Sequence, residues 1–182
     1  MRFIMLLVAG ASLAVACPEP AAGQPAATER APALGVRVGT SGGTRHGSFT
    51  AVDATGSLGL PWSLGRAGAG WSLQTRAEAT LGTLAGAGTR GVVGSVGPSV
   101  ALRHGGVPLY LDGGTAAAFT SRRRFGEKNL GTYIQFISHI SVLAQVGRVN
   151  AGYRLQHMSN ASLSEHNPGM NQHMLELRYT FR

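Results

Sequence analysis

Val149-Asn150-Ala151-Gly152-Tyr153-Arg154-Leu155-Gln156-His157-Met158-Ser159 has two faces. The odd positions read Val149, Ala151, Tyr153 and Leu155, then His157 and Ser159; the even ones read Asn150, Gly152, Arg154 and Gln156. Successive side chains of a strand point to opposite sides, so this period of two predicts a strand with one apolar and one polar face. The C-terminal stretch repeats it. His173, Leu175, Leu177, Tyr179 and Phe181 share one face, and Gln172, Met174, Glu176, Arg178 and Thr180 the other. Asn171 falls with the first set.

Working outward, eight such segments can be counted: Leu34–Thr40, Phe49–Leu60, Gly70–Leu84, Gly91–Arg103, Val107–Ser121, Gly131–Val146, Arg148–Ser159 and Asn171–Arg182. Glycine-rich breakers such as Ser41-Gly42-Gly43 and Ala85-Gly86-Ala87-Gly88 separate them. An even strand count puts both ends of the chain on one side. Gly105-Gly106 and Gly147 read as short turns on that side, Ser121–Leu130 and Asn160–Met170 as longer loops opposite. The stretch Pro61–Ala69 is longer than that rule prefers.

At 182 residues the chain suits one domain. Residues 1–24 read as a secretory signal, with Arg2 before the apolar Phe3–Ala16, and with small residues at Ala14-Val15-Ala16 and Ala21-Ala22-Gly23 as alternative cleavage points. Cys17, the one cysteine, lies there, so no disulfide framework is available; Ala14 stands where a lipobox usually has leucine. Residues 25–33 read as a flexible lead-in and 34–182 as the folded body. No later run reaches the ~20 apolar residues of a membrane helix, but a membrane barrel shows only alternating segments. The 27 glycines and 13% charged residues fit a barrel with a tightly packed interior. A net charge of +8 without clustered basic helices points to an anionic membrane surface rather than nucleic acid.

His157 and Ser159, two apart, share a face. A serine hydroxyl becomes a useful nucleophile when a base takes its proton, and imidazole has a suitable pKa. The bland alternative is a polar strand end running into a loop. The apolar parity of that face makes two polar side chains there unusual, and Asn171 projects to the same side. Backbone N–H groups of Asn160 and Ser162, just past the serine, are candidate oxyanion donors. Glu165 could orient His157 if its loop folds back, and His173 reads as interfacial packing. Glu176, Arg154, Arg178 and Gln156 have the parity of a polar barrel interior. Arg122-Arg123-Arg124 is either a solvated run or a contact for lipid phosphate. His46, His104 and His139 lack metal-ligand spacing, and no cofactor is expected.

Gly152-Tyr153-Arg154-Leu155-Gln156-His157-Met158-Ser159-Asn160-Ala161, followed by Asn167-Pro168-Gly169-Met170-Asn171, resembles the PagL family of outer-membrane lipid A 3-O-deacylases. A weaker likeness reaches back through Leu130–Gly147. The resemblance implies an eight-stranded antiparallel transmembrane β-barrel, lipid A or lipopolysaccharide as substrate, Ser159 as nucleophile and His157 as base. The family's acid position falls on Asn171, a departure that removes the negative charge while keeping a hydrogen-bond acceptor. Other readings are a different outer-membrane lipid esterase or phospholipase, or a structural barrel without activity.

Overall fold

A computed structural model describes residues 31–41, 47–65 and 70–181. The 1–24 segment, the lead-in to residue 30 and His46 lie outside the described residues. The strands are β1 (Ala33–Thr40), β2 (Phe49–Leu64), β3 (Trp71–Gly86), β4 (Thr89–His104), β5 (Leu109–Thr120), β6 (Arg124–Phe125), β7 (Lys128–Asn129), β8 (Ile134–Val146), β9 (Val149–Ser159) and β10 (Met170–Thr180). Eight of them close a barrel in the order β1-β10-β9-β8-β5-β4-β3-β2, every pair antiparallel; β6 and β7 form a small separate hairpin. The expected all-β, eight-stranded architecture is thus the observed one.

Strand boundaries differ from expectation where proline and glycine were taken as stops. Strand β2 runs on through Pro61 to Leu64, which shortens the following connection to 65–70. The register against β3 skips between Gly59 and Ser63. A bulge of this kind lets the strand carry a residue with no N–H to donate. Between β3 and β4 only Ala87 and Gly88 turn the chain, both with positive φ (48° and 72°), as a tight two-residue hairpin demands.

The exposure pattern inverts that of a water-soluble protein. On β9 and β10 the outward side chains are Tyr153, Leu155, Leu175, Leu177 and Tyr179, and the inward ones are Arg154, Gln156, Gln172, Glu176 and Arg178. Outward aromatics gather at the two ends: Trp62, Trp71, Tyr179 and Phe181 near the chain termini, Phe119, Tyr133 and Phe136 near the opposite end. An apolar band between two aromatic girdles is what a strand barrel in lipid requires.

Inside, charges are paired. Glu78 accepts from Arg178 (3.1 Å) and Arg154 (3.2 Å) and forms an ion pair with Arg37 (2.7 Å), and Glu176 meets Arg37 at 2.9 Å and also Arg178. The Nε2 of His139, set aside above, lies at hydrogen-bond distance, 3.1 Å, from Oδ1 of Asp112. Desolvated charges are costly unless they are paired or hydrogen-bonded. A cavity of about 20 Å³ beside Arg37, Asp53, Arg154 and Gln156 has room for a single water. Toward the loop end an apolar cluster of Phe49, Leu84, Ile137, Met158, Met170 and Phe125 fills the bore. Phe125 comes from the β6–β7 hairpin and meets Phe49 edge-on at 6.0 Å, so the hairpin is drawn over the barrel end.

Candidate active site

Met158 and Met170 pair across β9 and β10 and bury themselves in that apolar plug. Fixing them inward forces their neighbours outward, because adjacent strand residues face opposite sides. His157 and Asn171 are those neighbours, directly paired across the two strands. The Nδ1 of His157 lies 2.7 Å from Oδ1 of Asn171. An amide oxygen only accepts, so Nδ1 carries the proton and Nε2 keeps its lone pair. The imidazole is therefore in the tautomer of a base.

Ser159 lies one step further along the same face, half-buried, opposite Phe136 of β8. On its other side His157 is paired with Ser138, which is exposed. Ser138 was not singled out from the sequence, yet the signal was there. Ile134, Phe136, Ile140 and Val142 share its parity, and a serine interrupts that apolar series.

Beyond Ser159 the chain turns sharply. Ala161 and Ser162 both have positive φ (48° and 65°), a conformation that costs a residue with a side chain roughly 1–2 kcal/mol. Asn160 holds the turn. Its side chain is fully buried, its Oδ1 accepts from Ser162 N (3.0 Å), and its Nδ2 donates to the carbonyls of His166 (2.7 Å) and Leu130 (3.0 Å). Its own N–H donates to Asn167 Oδ1 at 3.1 Å. This corrects one expectation. The N–H groups of Asn160 and Ser162, offered as oxyanion donors, both already serve asparagine side-chain oxygens. Short amides in turns fold back on nearby backbone in this manner.

Gly169 closes the other side. Its φ is +53°, and a Cβ there would sit 2.9 Å from Cε1 and 3.3 Å from Nε2 of His157. The imidazole edge thus lies against bare backbone. Glu165 and His166 are exposed on the loop, and the hydrogen bond of His157 goes to Asn171 rather than to Glu165. His173 faces outward two pairs away from Asn171 and bonds Tyr153 through Nδ1. Arg122, Arg123 and Arg124 are exposed where the chain leaves β5 for the hairpin. His104 meets Trp71 edge-on at the far end of the barrel. Among the described residues no group of histidines and carboxylates has the arrangement of a metal site.

An inside-out antiparallel barrel of eight strands, girdled by aromatics and carrying serine, imidazole and carboxamide on its outward face, defines a membrane β-barrel with a surface-sited polar centre. The family model described as Lipid A 3-O-deacylase (PagL) matches residues 51–180, and the chain belongs to that family. The lipid A deacylase PagL of Bordetella bronchiseptica is 34% identical over 80 residues, which are 42% of this chain and 43% of that protein. The match therefore spans less than half the length of that relative. The crystal structure of the outer membrane enzyme PagL superposes with a TM-score of 0.71 at 22% identity, covering 82% of this chain and 99% of that one. At that identity the likeness speaks for the fold.

Proposed function

We propose that the protein is an outer-membrane esterase that removes the 3-O-linked acyl chain of lipid A, with Ser159 as nucleophile and His157 as base. The observation that carries this reading is the His157 Nδ1–Asn171 Oδ1 hydrogen bond on the face that also bears Ser159. It leaves Nε2 free to accept a proton. The loop end of the barrel faces outward, and the substrate approaches laterally from the outer leaflet, where its ester lies at the level of the aromatic residue Phe136.

As Ser159 Oγ adds to the acyl carbonyl, His157 Nε2 takes its proton. Collapse of the tetrahedral intermediate expels the sugar oxygen, which takes that proton back from the imidazolium. Water then attacks the acyl-serine, again through His157, and frees the fatty acid. The oxyanion needs a preorganised donor. With Asn160 and Ser162 engaged, the amide Nδ2 of Asn167 fills that role, since its Oδ1 is fixed on the N–H next to Ser159. Asn171 orients the imidazole without adding charge. Arg122, Arg123 and Arg124 are candidate contacts for the lipid phosphates, in keeping with the net charge of +8.

Purified protein incubated with lipopolysaccharide in detergent tests the reading. Release of a fatty acid from the 3-position of the glucosamine supports it. Release only from glycerophospholipid substrates would move the protein to the phospholipase alternative.

A further inference from the structure

Lys128 is almost wholly buried, 2% exposed, on the small hairpin rather than on the barrel wall. Its Nζ donates to the carbonyl of Gly169 at 2.9 Å and sits 5.7 Å from the centre of the Phe49 ring. Gly169 is the residue whose backbone lies against the His157 ring. A chain of contacts thus runs from the hairpin through one buried ammonium to the imidazole. A second tie runs in parallel, because Leu130, just past the hairpin, accepts from Asn160 beside Ser159. The hairpin itself is anchored by Phe125 in the apolar plug. Two otherwise separate loops, 121–133 and 160–169, are therefore locked together on both sides of the dyad.

We infer that Lys128 is a positioning residue for His157: by holding the Gly169 carbonyl it fixes the backbone against which the imidazole rests. This rests on the Ser159–His157 reading above. A surface-sited base has no pocket wall around its ring: Asn171 holds the Nδ1 side, and the Gly169 backbone is what backs the Cε1–Nε2 edge. A displacement of about 1 Å at a reacting group can cost about a hundredfold in rate. An ammonium-to-carbonyl bond is a strong tie, and hydrogen bonds to charged groups are worth more than neutral ones.

The test compares Lys128→Met and Lys128→Arg in the full-length barrel, with two readouts. The first is steady-state lipid A deacylation: Lys128→Met lowers kcat about ten- to a hundredfold with KM within twofold, and Lys128→Arg, which keeps the charge and the donor, recovers most of it. The second is the ¹⁵N spectrum of the His157 ring in detergent, which needs no substrate. Wild type and Lys128→Arg give the single Nδ1–H tautomer, and Lys128→Met gives a broadened or mixed one. Should Lys128→Met fail to fold, Lys128→Leu, which also has no donor, carries the same comparison. An unchanged kcat, a raised KM with kcat intact, or a lowered kcat with an unchanged ring spectrum would each overturn the inference. If no variant, wild type included, deacylates lipid A, the functional reading fails while the ring spectrum still decides the positioning role.

Discussion

The Nδ1 of His157 and the Oδ1 of Asn171 stand 2.7 Å apart across adjacent strands, in direct register. A neutral amide there gives the imidazole its orientation but does little for the positive charge it acquires in the transition state, whereas a carboxylate does both. Asn171→Ala is therefore expected to lower deacylation, yet by less than loss of Ser159. Asn171→Glu should match or exceed wild type. Rates measured at matched amounts of folded barrel decide this. Wild-type activity in Asn171→Ala together with a dead Glu165→Ala would make the loop glutamate the orienting group.

Gly169 is constrained twice, by its positive φ and by the ring beside it. Gly169→Ala should push the imidazole away from its resting place and cut kcat about tenfold or more, on the same geometric reasoning as above. The barrel strands do not depend on it. Heat-modifiable migration on a denaturing gel should stay as in wild type, and a lost shift would show a folding defect instead.

Inside the bore, Glu78 contacts three guanidinium groups at 2.7, 3.1 and 3.2 Å, two of which it shares with Glu176. Glu78→Ala takes the carboxylate from Arg154 and leaves Arg37 and Arg178 to share Glu176, and breaking such a buried pair typically costs about 3–5 kcal/mol. A marked fall in the urea midpoint of unfolding is the expected result. Glu78→Gln, which keeps the shape, should still lie well below wild type.

Burial on the hairpin holds the Lys128 ammonium below the ordinary lysine pKa. In the window between its folded value and the ordinary one, the unfolded chain keeps a proton that the folded chain has released. Stability contributed by this group therefore rises as pH climbs through that window. The urea midpoint of global unfolding, followed across that window, should show that component in wild type and lose it in Lys128→Met.

How far the sequence carried the fold can be traced to particular residues. Alternation in Val149–Ser159 and Gln172–Phe181 was legible because the bore is polar and the exterior apolar, so every second residue reports its side. Pro61 misled because a missing N–H usually ends a strand, and the bulge that absorbs it depends on the partner strand β3. The β6–β7 hairpin was invisible because Phe125 and Lys128 earn their places by meeting Phe49 and Gly169, distant in the chain. At the site, parity put His157, Ser159 and Asn171 on one face. It could not foresee that Asn160 and Asn167 would occupy the backbone donors, since side-chain folding within a turn leaves no periodic trace.

The most direct test of the central claim is the mass spectrum of lipid A from a bacterial host expressing either the wild-type protein or Ser159→Ala at equal levels of folded barrel. Wild type should convert lipid A to a species lighter by one 3-O-linked acyl chain. Ser159→Ala should leave lipid A unmodified, because removing a catalytic serine costs several orders of magnitude in rate. Unmodified lipid A in both, or the same loss in both, would contradict the account.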